Sequence, residues 1–309
     1  MTQYTYTDSS NQIFNYQISL LRGKEVLHTR TLWEEVFAED SEIFTDYYFS
    51  HKAEKNITFV CTYENVIVSM VHMTPYHMNV KGNIISTFYI VGVATKPGHR
   101  HRGLMATLLQ EVFTYAKEVN SPFVFLMPAD PAIYTPFGFS YIYARPEYEI
   151  PVALSSPEVY INHFENSDLA VTFINSAQDE SLLCKLSGFA EEILTKQYDY
   201  FIPHTTDYFH TLLLELKSQN GGIFILTKED RIVGYFLYAT EGKPFIQEML
   251  LSPELDFSSC GIMSTRIPIQ QKEKKPIIMA KNTGLYVDTN VMDYVNLLSN
   301  LKGCINEIV

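Results

Sequence analysis

One stretch of the sequence constrains the fold more than any other: IVGVATKPGHRHRGLMATLLQEVFTYAKEV, residues 90–119. Its apolar, β-branched start predicts a strand that ends at Thr95, and apolar residues at helical spacing predict a helix from Leu104. A short basic turn joins the two. The first N–H groups of a helix have no partner within it, and the helix dipole adds partial positive charge there. This order of strand, basic turn and helix start is typical of a site for a phosphorylated ligand.

The basic turn contains the spacing Arg100-x-x-Gly103, and Gly103 has no Cβ to hold a ligand away from the backbone. No Gly-Lys-Ser/Thr follows it, which disfavours a nucleoside-triphosphate loop, and one glycine stands where a dinucleotide loop needs three. In this context the turn resembles the acyl-CoA loop of the GCN5-related N-acetyltransferases (GNAT). An ordinary solvated turn before a helix is the alternative, and the flanking strand and helix favour the acyl-CoA loop.

Composition excludes several classes of function. The chain has 309 residues, 46% hydrophobic and 19% charged, which is a globular composition long enough for two domains. Its net charge of −12 argues against a nucleic-acid partner, because phosphate contacts need a surplus of Lys and Arg. The same charge is compatible with a cationic acceptor, whose local concentration an acidic cleft raises.

Targeting and metal signals are missing from the sequence. The start, MTQYTYTDSS, has neither the basic region nor the apolar core of a secretory signal, and the apolar stretch over 84–95 is too short to span a bilayer. The four cysteines form no C-x-x-C pair, so we expect no metal site. We expect a cytoplasmic protein without a membrane partner; its oligomeric state, including a homo-oligomer, is left open.

Apolar periodicity and turn residues predict the elements of the first half. We expect helices over 25–39, 41–51 and 104–119, and strands over 57–63, 66–74, 83–95, 123–127 and 138–150.

The second half repeats the first in outline. Residues 57–70, ITFVCTYENVIVSM, align without gaps on residues 222–235, GIFILTKEDRIVGY, and both read strand, acidic turn, strand. The neighbouring elements also correspond, with helices over 181–194 and 207–218 and a strand over 244–251. We interpret this agreement as a duplication. The sequence after Leu251 lacks the basic cluster and the glycine-led helix start, so the second copy is predicted not to bind the cofactor.

We therefore predict an α/β fold with a mixed (α+β) sheet in two domains, 1–150 and 151–309, the second of them degenerate. After the second copy, residues 270–275 read as an exposed polar segment and residues 289–301 as a helix.

A second motif lies beyond the next predicted strand: Ala132-Ile133-Tyr134-Thr135-Pro136-Phe137-Gly138-Phe139. With the basic turn, the stretch VATKPGHRHRGLM…FLMPADPAIYTPFGF resembles the enhanced intracellular survival (Eis) family of acetyltransferases. The resemblance implies two tandem GNAT domains, acetyl-CoA as co-substrate and a small amine or a lysine side chain as acceptor. It also implies a sterol-carrier-like domain, for which too little chain follows the second copy.

The resemblance assigns roles to particular residues. Tyr134 matches the tyrosine that protonates the departing thiolate, and Ala129 and Asp130 match positions that line the cofactor. A phenol with an ordinary pKa of about 10 suits that role, because it holds its proton at rest. By the same resemblance, main-chain groups contact the pantetheine arm at Val93, Ala94 and Thr95, and the pyrophosphate at His101, Arg102, Gly103, Leu104, Met105 and Ala106.

The residue that takes the proton from the amine is not fixed by the sequence. In the Eis family the C-terminal carboxylate serves, here that of Val309, but without the last domain we do not expect it to reach the site. Glu248 and Asp130 are the substitutes, each also readable as a solvated surface carboxylate. His72 and His77 are weaker candidates.

Three functions are compatible with these motifs. The leading one is an acetyl-CoA-dependent N-acetyltransferase that acts on a cationic amine, such as a polyamine, an aminoglycoside-like compound or a lysine. The second is an acyl-CoA sensor or scaffold that turns nothing over. The third, a tRNA-dependent aminoacyl transferase, is disfavoured by the charge of −12.

Overall fold

The structure is a computed structural model, and it describes residues 2–149, 169–241, 243–255, 270–284, 286–287, 290–291 and 293–306. It divides the chain into two compact units. The first is built from Met1–Tyr143 and Ile277–Leu301, the second from Ala144–Pro276 and Lys302–Asn306. The predicted division at residue 150 stays a prediction. The return of Ile277–Leu301 to the first unit was not predicted.

The strands are numbered in chain order. They are β1 (Thr2–Thr7), β2 (Ile13–Arg22), β3 (Ile57–Tyr63), β4 (Val66–Val80), β5 (Asn83–Thr95), β6 (Phe123–Leu126), β7 (Ser140–Glu149), β8 (Ala170–Ile174), β9 (Tyr200–Phe201), β10 (Gly222–Lys228), β11 (Arg231–Glu241), β12 (Lys243–Leu251), β13 (Gln270–Asn282), β14 (Tyr286–Val287), β15 (Asn290–Val291) and β16 (Gly303–Cys304).

The α-helices are numbered in the same way. They are α1 (Arg30–Val36), α2 (Glu42–Tyr47), α3 (Leu104–Glu118), α4 (Pro131–Tyr134), α5 (Glu180–Gln197), α6 (Thr206–Ser218) and α7 (Tyr294–Ser299).

The first unit is built on a mixed sheet in the order β1-β2-β3-β4-β5-β6-β13-β7. Neighbouring strands from β1 to β5 are antiparallel, β5 and β6 are parallel, and β13 runs antiparallel to β6. Helix α3 presents one apolar face to the core, including Leu104, Leu108 and Val112. The predicted α/β class with a mixed sheet is confirmed.

The second unit has a smaller antiparallel sheet in the order β12-β11-β10-β8. Its core joins apolar residues of α5 and α6, among them Leu186 and Phe209, to sheet residues such as Ile225 and Leu237. The helices and strands predicted for this half lie where expected, with boundaries that shift by a few residues at most.

The backbone supports the duplication in detail. Both hairpins turn on two residues with positive φ, Glu64 and Asn65 in the first copy (50° and 65°) and Glu229 and Asp230 in the second (49° and 60°). Two such residues define the tight turn that matches the twist of paired strands. Each hairpin also has a bulge two residue pairs away from the turn, where Val68 and its counterpart Val233 are skipped in the pairing.

Two predictions for the ends of the chain were wrong or incomplete. The first strands, β1 and β2, were not predicted, although Asp8 marks the turn between them by accepting hydrogen bonds from the N–H groups of Ser10 and Gln12. Residues 270–275 are the start of β13, a strand that was not predicted, and the described side chains of Glu273, Lys274 and Lys275 are exposed as expected. Within the described residues, no helix is both long and apolar enough to cross a membrane.

Candidate functional site

The two parallel strands of the first unit separate after a short region of contact. In the described part of the chain, β5 pairs with β6 only at Phe88 with Val124 and at Tyr89 with Phe125. Strand β5 continues to Thr95, whereas β6 ends at Leu126. The main chain beyond Tyr89 therefore faces the gap between the strands on this side, and an extended ligand can pair with it as a strand would.

A bulge bends β5 at the point where the strands separate. Gly92 and Val93 face the single residue Val71 on β4, and Gly92 has a φ of 59°, which favours glycine. A Cβ on Gly92 would overlap the ring of Trp33 from α1. The bulge therefore requires a residue without a side chain at position 92, and it changes the direction of the backbone at Val93.

The carbonyls of this part of β5 are partly engaged. Ser69 Oγ donates to the carbonyl of Ala94 (2.9 Å), and Arg100 Nε donates to that of Thr95 (3.0 Å). A carbonyl oxygen has two lone pairs, so each of these groups can accept a second hydrogen bond. The main-chain contacts predicted for Val93, Ala94 and Thr95 remain compatible with the structure.

The basic turn is held by two residues in the left-handed conformation. His101 has a φ of 61°, and Gly103, the N-cap of α3, has a φ of 77°. A glycine cap has no side chain to bind the first N–H groups of the helix, which leaves them for a ligand. Leu104 anchors this turn in the core, Met105 packs against the core edge and Ala106 is exposed.

A basic turn that binds a phosphorylated ligand is expected to expose its cationic side chains, but the side chain of Arg102 faces the protein. Its guanidinium lies 3.8 Å from the centroid of the Phe14 ring, and its Nη1 donates to the hydroxyl of Tyr16 at 2.8 Å. The sequence could not show this, because Phe14 and Tyr16 lie on the hairpin that was not predicted. The main-chain N–H of Arg102 stays among the groups proposed for the pyrophosphate.

Tyr134 ends helix α4, and only 8% of its surface is exposed. It belongs to the same core cluster as Leu104, against which Val93 and Met105 also pack. None of the described residues hydrogen bonds to its hydroxyl. Burial raises the pKa of the phenol to about 12. The structure therefore brings Tyr134 to the core that supports both β5 and the helix start.

The two neighbouring residues assigned to the cofactor are exposed at the start of α4. Ala129 and Asp130 follow β6, and Asp130 Oδ1 caps the helix by accepting a hydrogen bond from the N–H of Ala132 at 2.8 Å. This capping role accounts for Asp130 without a part in proton transfer.

The candidate bases have different surroundings. Glu248 lies in the core of the second unit, where Tyr235 donates to its Oε1 at 2.7 Å, so the interpretation as a solvated carboxylate was wrong. His72 is buried with its Nδ1 bound to Tyr48 Oη (3.0 Å), and burial lowers its pKa to about 3. His77 is an exposed strand residue near Ser86. Val309 falls outside the described residues.

One carboxylate that the sequence reasoning missed binds the side chain that packs against the bulge. Asp40 Oδ2 accepts a hydrogen bond from Trp33 Nε1 at 2.9 Å, and Trp33 is the residue that fills the space beside Gly92. Burial raises the pKa of Asp40, and the nearby charge of Glu39 adds to the rise. No local sequence signal distinguishes Asp40 from the other acidic residues of this region.

Comparison with protein families agrees with this geometry. Residues 17–142 match the family model described as an acetyltransferase (GNAT) domain. The matched part of the chain is therefore similar to a GNAT acetyltransferase domain, and it contains the separated strands, the bulge, the turn and Tyr134. No curated protein sequence matches the chain.

Solved structures show the fold of both units together. A probable N-acyltransferase from Enterococcus faecalis is 15% identical and superposes with a TM-score of 0.65, over 87% of this chain and 73% of the other. Eis1 from Mycobacterium abscessus is 10% identical, with a TM-score of 0.60 over 87% and 74%. A tandem GNAT protein from the clavulanic acid biosynthesis pathway is 10% identical, with a TM-score of 0.55 over 88% and 100%. The chain has the tandem GNAT fold.

Proposed function

We propose that the protein is an acetyl-CoA-dependent N-acetyltransferase that acetylates a primary amine of a cationic acceptor. The observation that carries the proposal is the continuity of three features in the first unit. The open backbone edge of β5 leads through the bulge at Gly92 to a helix start that no side chain caps, and a buried tyrosine lies beyond the second strand. An acyl-CoA molecule has an extended amide-containing arm and a pyrophosphate, which are the groups these features suit.

In this proposal the cofactor is held mainly by backbone. Main-chain groups of Val93, Ala94 and Thr95 bind the pantetheine arm, and Ala129 and Asp130 line its path. The pyrophosphate binds the main-chain N–H groups of His101, Arg102, Gly103, Leu104, Met105 and Ala106. The second copy has no described counterpart of this turn, so we propose that it shapes the protein without binding the cofactor.

The reaction is a direct transfer. The amine nitrogen attacks the thioester carbonyl, a C–N bond forms, the C–S bond breaks, and the thiolate leaves with the bonding electrons. Tyr134 then gives its proton to the sulfur, and the resulting phenolate takes the proton that the attacking nitrogen loses as the amide forms. The raised pKa of Tyr134 keeps the phenol protonated at neutral pH, and a thiolate that leaves into the same desolvated site also binds a proton more strongly than in water.

A base must take a proton from the ammonium before or during the attack. We propose Asp40, because it hydrogen bonds to Trp33 beside the bulge and because its raised pKa makes it a stronger base than an ordinary aspartate. The net charge of −12 supports a cationic acceptor by attraction at long range.

A thiol-release assay tests the assignment. Acetyl-CoA is incubated with spermidine, an aminoglycoside and a lysine ester, and free thiol is measured in wild-type protein and variants. Tyr134→Phe is expected to lower kcat about 100-fold, the lower range for loss of a general acid, while the Kd for CoA stays within about twofold. Asp40→Asn is expected to lower kcat/KM. It should also remove the decrease of kcat/KM at low pH, because the carboxylate that must lose a proton is gone.

Tyr141→Phe is the matched control, since Tyr141 is 37% exposed on β7 and lies outside the proposed site. Unchanged kcat in Tyr134→Phe would show that Tyr134 is not the general acid. Tight binding of acetyl-CoA without thiol release from any amine would instead favour the acyl-CoA sensor.

A further inference from the structure

The hairpin of β1 and β2 lies against the basic turn. Tyr4 on β1 donates a hydrogen bond from its hydroxyl to the carbonyl of Arg102 at 2.8 Å. The same hydroxyl oxygen lies 2.7 Å from the position that a Cβ on Gly103 would take. The first strand of the chain thus contacts the turn about 100 residues later, at the residue that begins α3.

Tyr16 on β2 makes the second connection from inside the core. It is fully buried, and its hydroxyl oxygen accepts from Arg102 Nη1 at 2.8 Å and lies 3.0 Å from His99 Nδ1. Arginine can only donate, so the hydroxyl hydrogen of Tyr16 is left to donate to His99 Nδ1. One buried hydroxyl therefore joins both ends of the turn.

Aromatic rings pack around the residues that the Tyr16 hydroxyl joins. The Phe14 ring lies under the Arg102 guanidinium at 3.8 Å, and the rings of Tyr16 and His99 meet edge to face with centroids 5.8 Å apart. Among the described residues of the turn, Arg102 is the only cationic residue whose side chain packs against the rings of the hairpin. Its contacts are with the hairpin, which explains why a basic side chain in a phosphate-binding turn faces the protein.

The residues between these connections hold an unfavourable backbone conformation. His101 has a positive φ of 61° without being glycine, and Gly103 follows with 77°. A side chain in this conformation costs free energy and persists only where the surroundings fix it. The connections to His99 and Arg102 lie on either side of His101, which is where such support is needed.

We propose that Tyr16, assisted by Tyr4, is a positioning residue for the cofactor: it fixes the basic turn so that its main-chain N–H groups are already arranged for the acetyl-CoA pyrophosphate. The inference rests on the proposed function for its ligand. The arrangement of the turn itself does not depend on any ligand, because every contact above is made by the protein alone. Tyr16 does not touch the reacting atoms, so its effect falls on binding and not on the chemical step.

Tyr16→Phe removes only the hydroxyl and keeps the buried ring. The KM for acetyl-CoA and the Kd for CoA are expected to rise about tenfold, equivalent to about 1.4 kcal/mol and within the range for the two hydrogen bonds that the hydroxyl makes, while kcat changes less than twofold. In the free protein, hydrogen exchange is expected to accelerate about tenfold at the amides of His99, Arg100 and Thr107, which hydrogen bond to the carbonyls of Lys96, Pro97 and Gly103.

Tyr6→Phe is the matched control. Tyr6 lies on the same hairpin, its ring is 5.8 Å from the Arg102 guanidinium, and its hydroxyl bonds to none of the described residues. Both the exchange rates and the cofactor constants of Tyr6→Phe should equal those of the wild type. Tyr4→Phe should give a smaller change in the same direction as Tyr16→Phe, because it removes one of the connections.

The two readouts separate the possible failures. Unchanged exchange at the amides of His99, Arg100 and Thr107 in Tyr16→Phe would overturn the positioning role, whatever the protein binds. Faster exchange in a protein that shows no affinity for CoA would retain the support of the turn and refute the proposed function. A loss of kcat equal to the rise in KM would also contradict the inference, because it would place Tyr16 in the chemical step.

Discussion

The two copies differ most in the strand that follows each hairpin, which is β5 in the first copy and β12 in the second. Ser69 and Gly234 are equivalent in the duplication, and they pair with Thr95 and Leu251. Three residues before these partners lie Gly92 in the first copy and Glu248 in the second. Gly92 has no side chain, and its φ of 59° lets β5 bulge against Trp33.

Glu248 has a buried carboxylate and pairs with Leu237, whose counterpart His72 pairs with Val91, the residue next to Gly92. Glu248 Oε1 accepts from the Tyr235 hydroxyl at 2.7 Å, and its Oε2 lies 3.6 Å from Cys304 Sγ. His204 Nδ1 lies 2.8 Å from the same tyrosine oxygen. The comparison teaches that the hairpin framework was kept in both copies, whereas the glycine bulge packed against Trp33 is a feature of β5 and a buried carboxylate is a feature of β12.

The largest expected effect tests a property that the copies share. Each unit buries a histidine against a tyrosine hydroxyl, His72 with Tyr48 and His204 with Tyr235, and burial lowers the pKa of both histidines to about 3. The unfolded chain takes up a proton near pH 6.5, and the folded chain does not until about pH 3, so stability falls as the pH drops through this window. At pH 4.5 each histidine is expected to lower the free energy of unfolding by about 2–3 kcal/mol relative to pH 7, which is about 5 kcal/mol for the two together.

Urea unfolding between pH 7 and pH 4.5 measures this effect. His72→Gln and His204→Gln should each reduce the slope of the unfolding free energy against pH, even if they lower stability at pH 7. A slope that changes in only one of the two variants would show that the copies do not share this design.

The next effect tests the position at which the copies differ. Gly92→Ala is expected to lower the free energy of unfolding by about 2–4 kcal/mol, because the added Cβ combines a left-handed backbone with overlap against Trp33. Gly82→Ala is the control, since Gly82 has a φ of 83° with open space around its missing Cβ, and about 1 kcal/mol is expected there. Equal losses, measured by urea unfolding, would mean that the contact with Trp33 does not constrain the bulge.

Local sequence signals predicted the parts of this fold that depend on local structure. The hairpins, the strand Asn83–Thr95 and the start of α3 follow from alternation, turn residues and helical spacing, and they lie where expected. The polar first residues of β13 could not be read as a strand, because its pairing with β6 joins residues about 150 positions apart.

The residues of the candidate site also divide into those with a local sequence signal and those without one. The turn and Tyr134 could be found because their motifs are contiguous in the sequence. The inward side chain of Arg102 depends on contacts with residues about 86 positions away, and the burial of Glu248 depends on the packing of the second unit. The hydrogen bond between Asp40 and Trp33 is local, but no sequence pattern predicts it. The strands β1 and β2 did carry a signal, alternation around the turn at Asp8, that the prediction did not use.

The central claim is that the first copy alone binds acetyl-CoA, at the N-terminus of α3. Isothermal titration calorimetry of acetyl-CoA against the protein tests it most directly. We predict one site per chain, with affinity reduced at least tenfold in Gly103→Ala, whose Cβ would meet Tyr4, and unchanged in Gly284→Ala, which has a similar φ of 76° and open space. Absence of binding, two sites per chain, or equal affinity in the two variants would contradict the account.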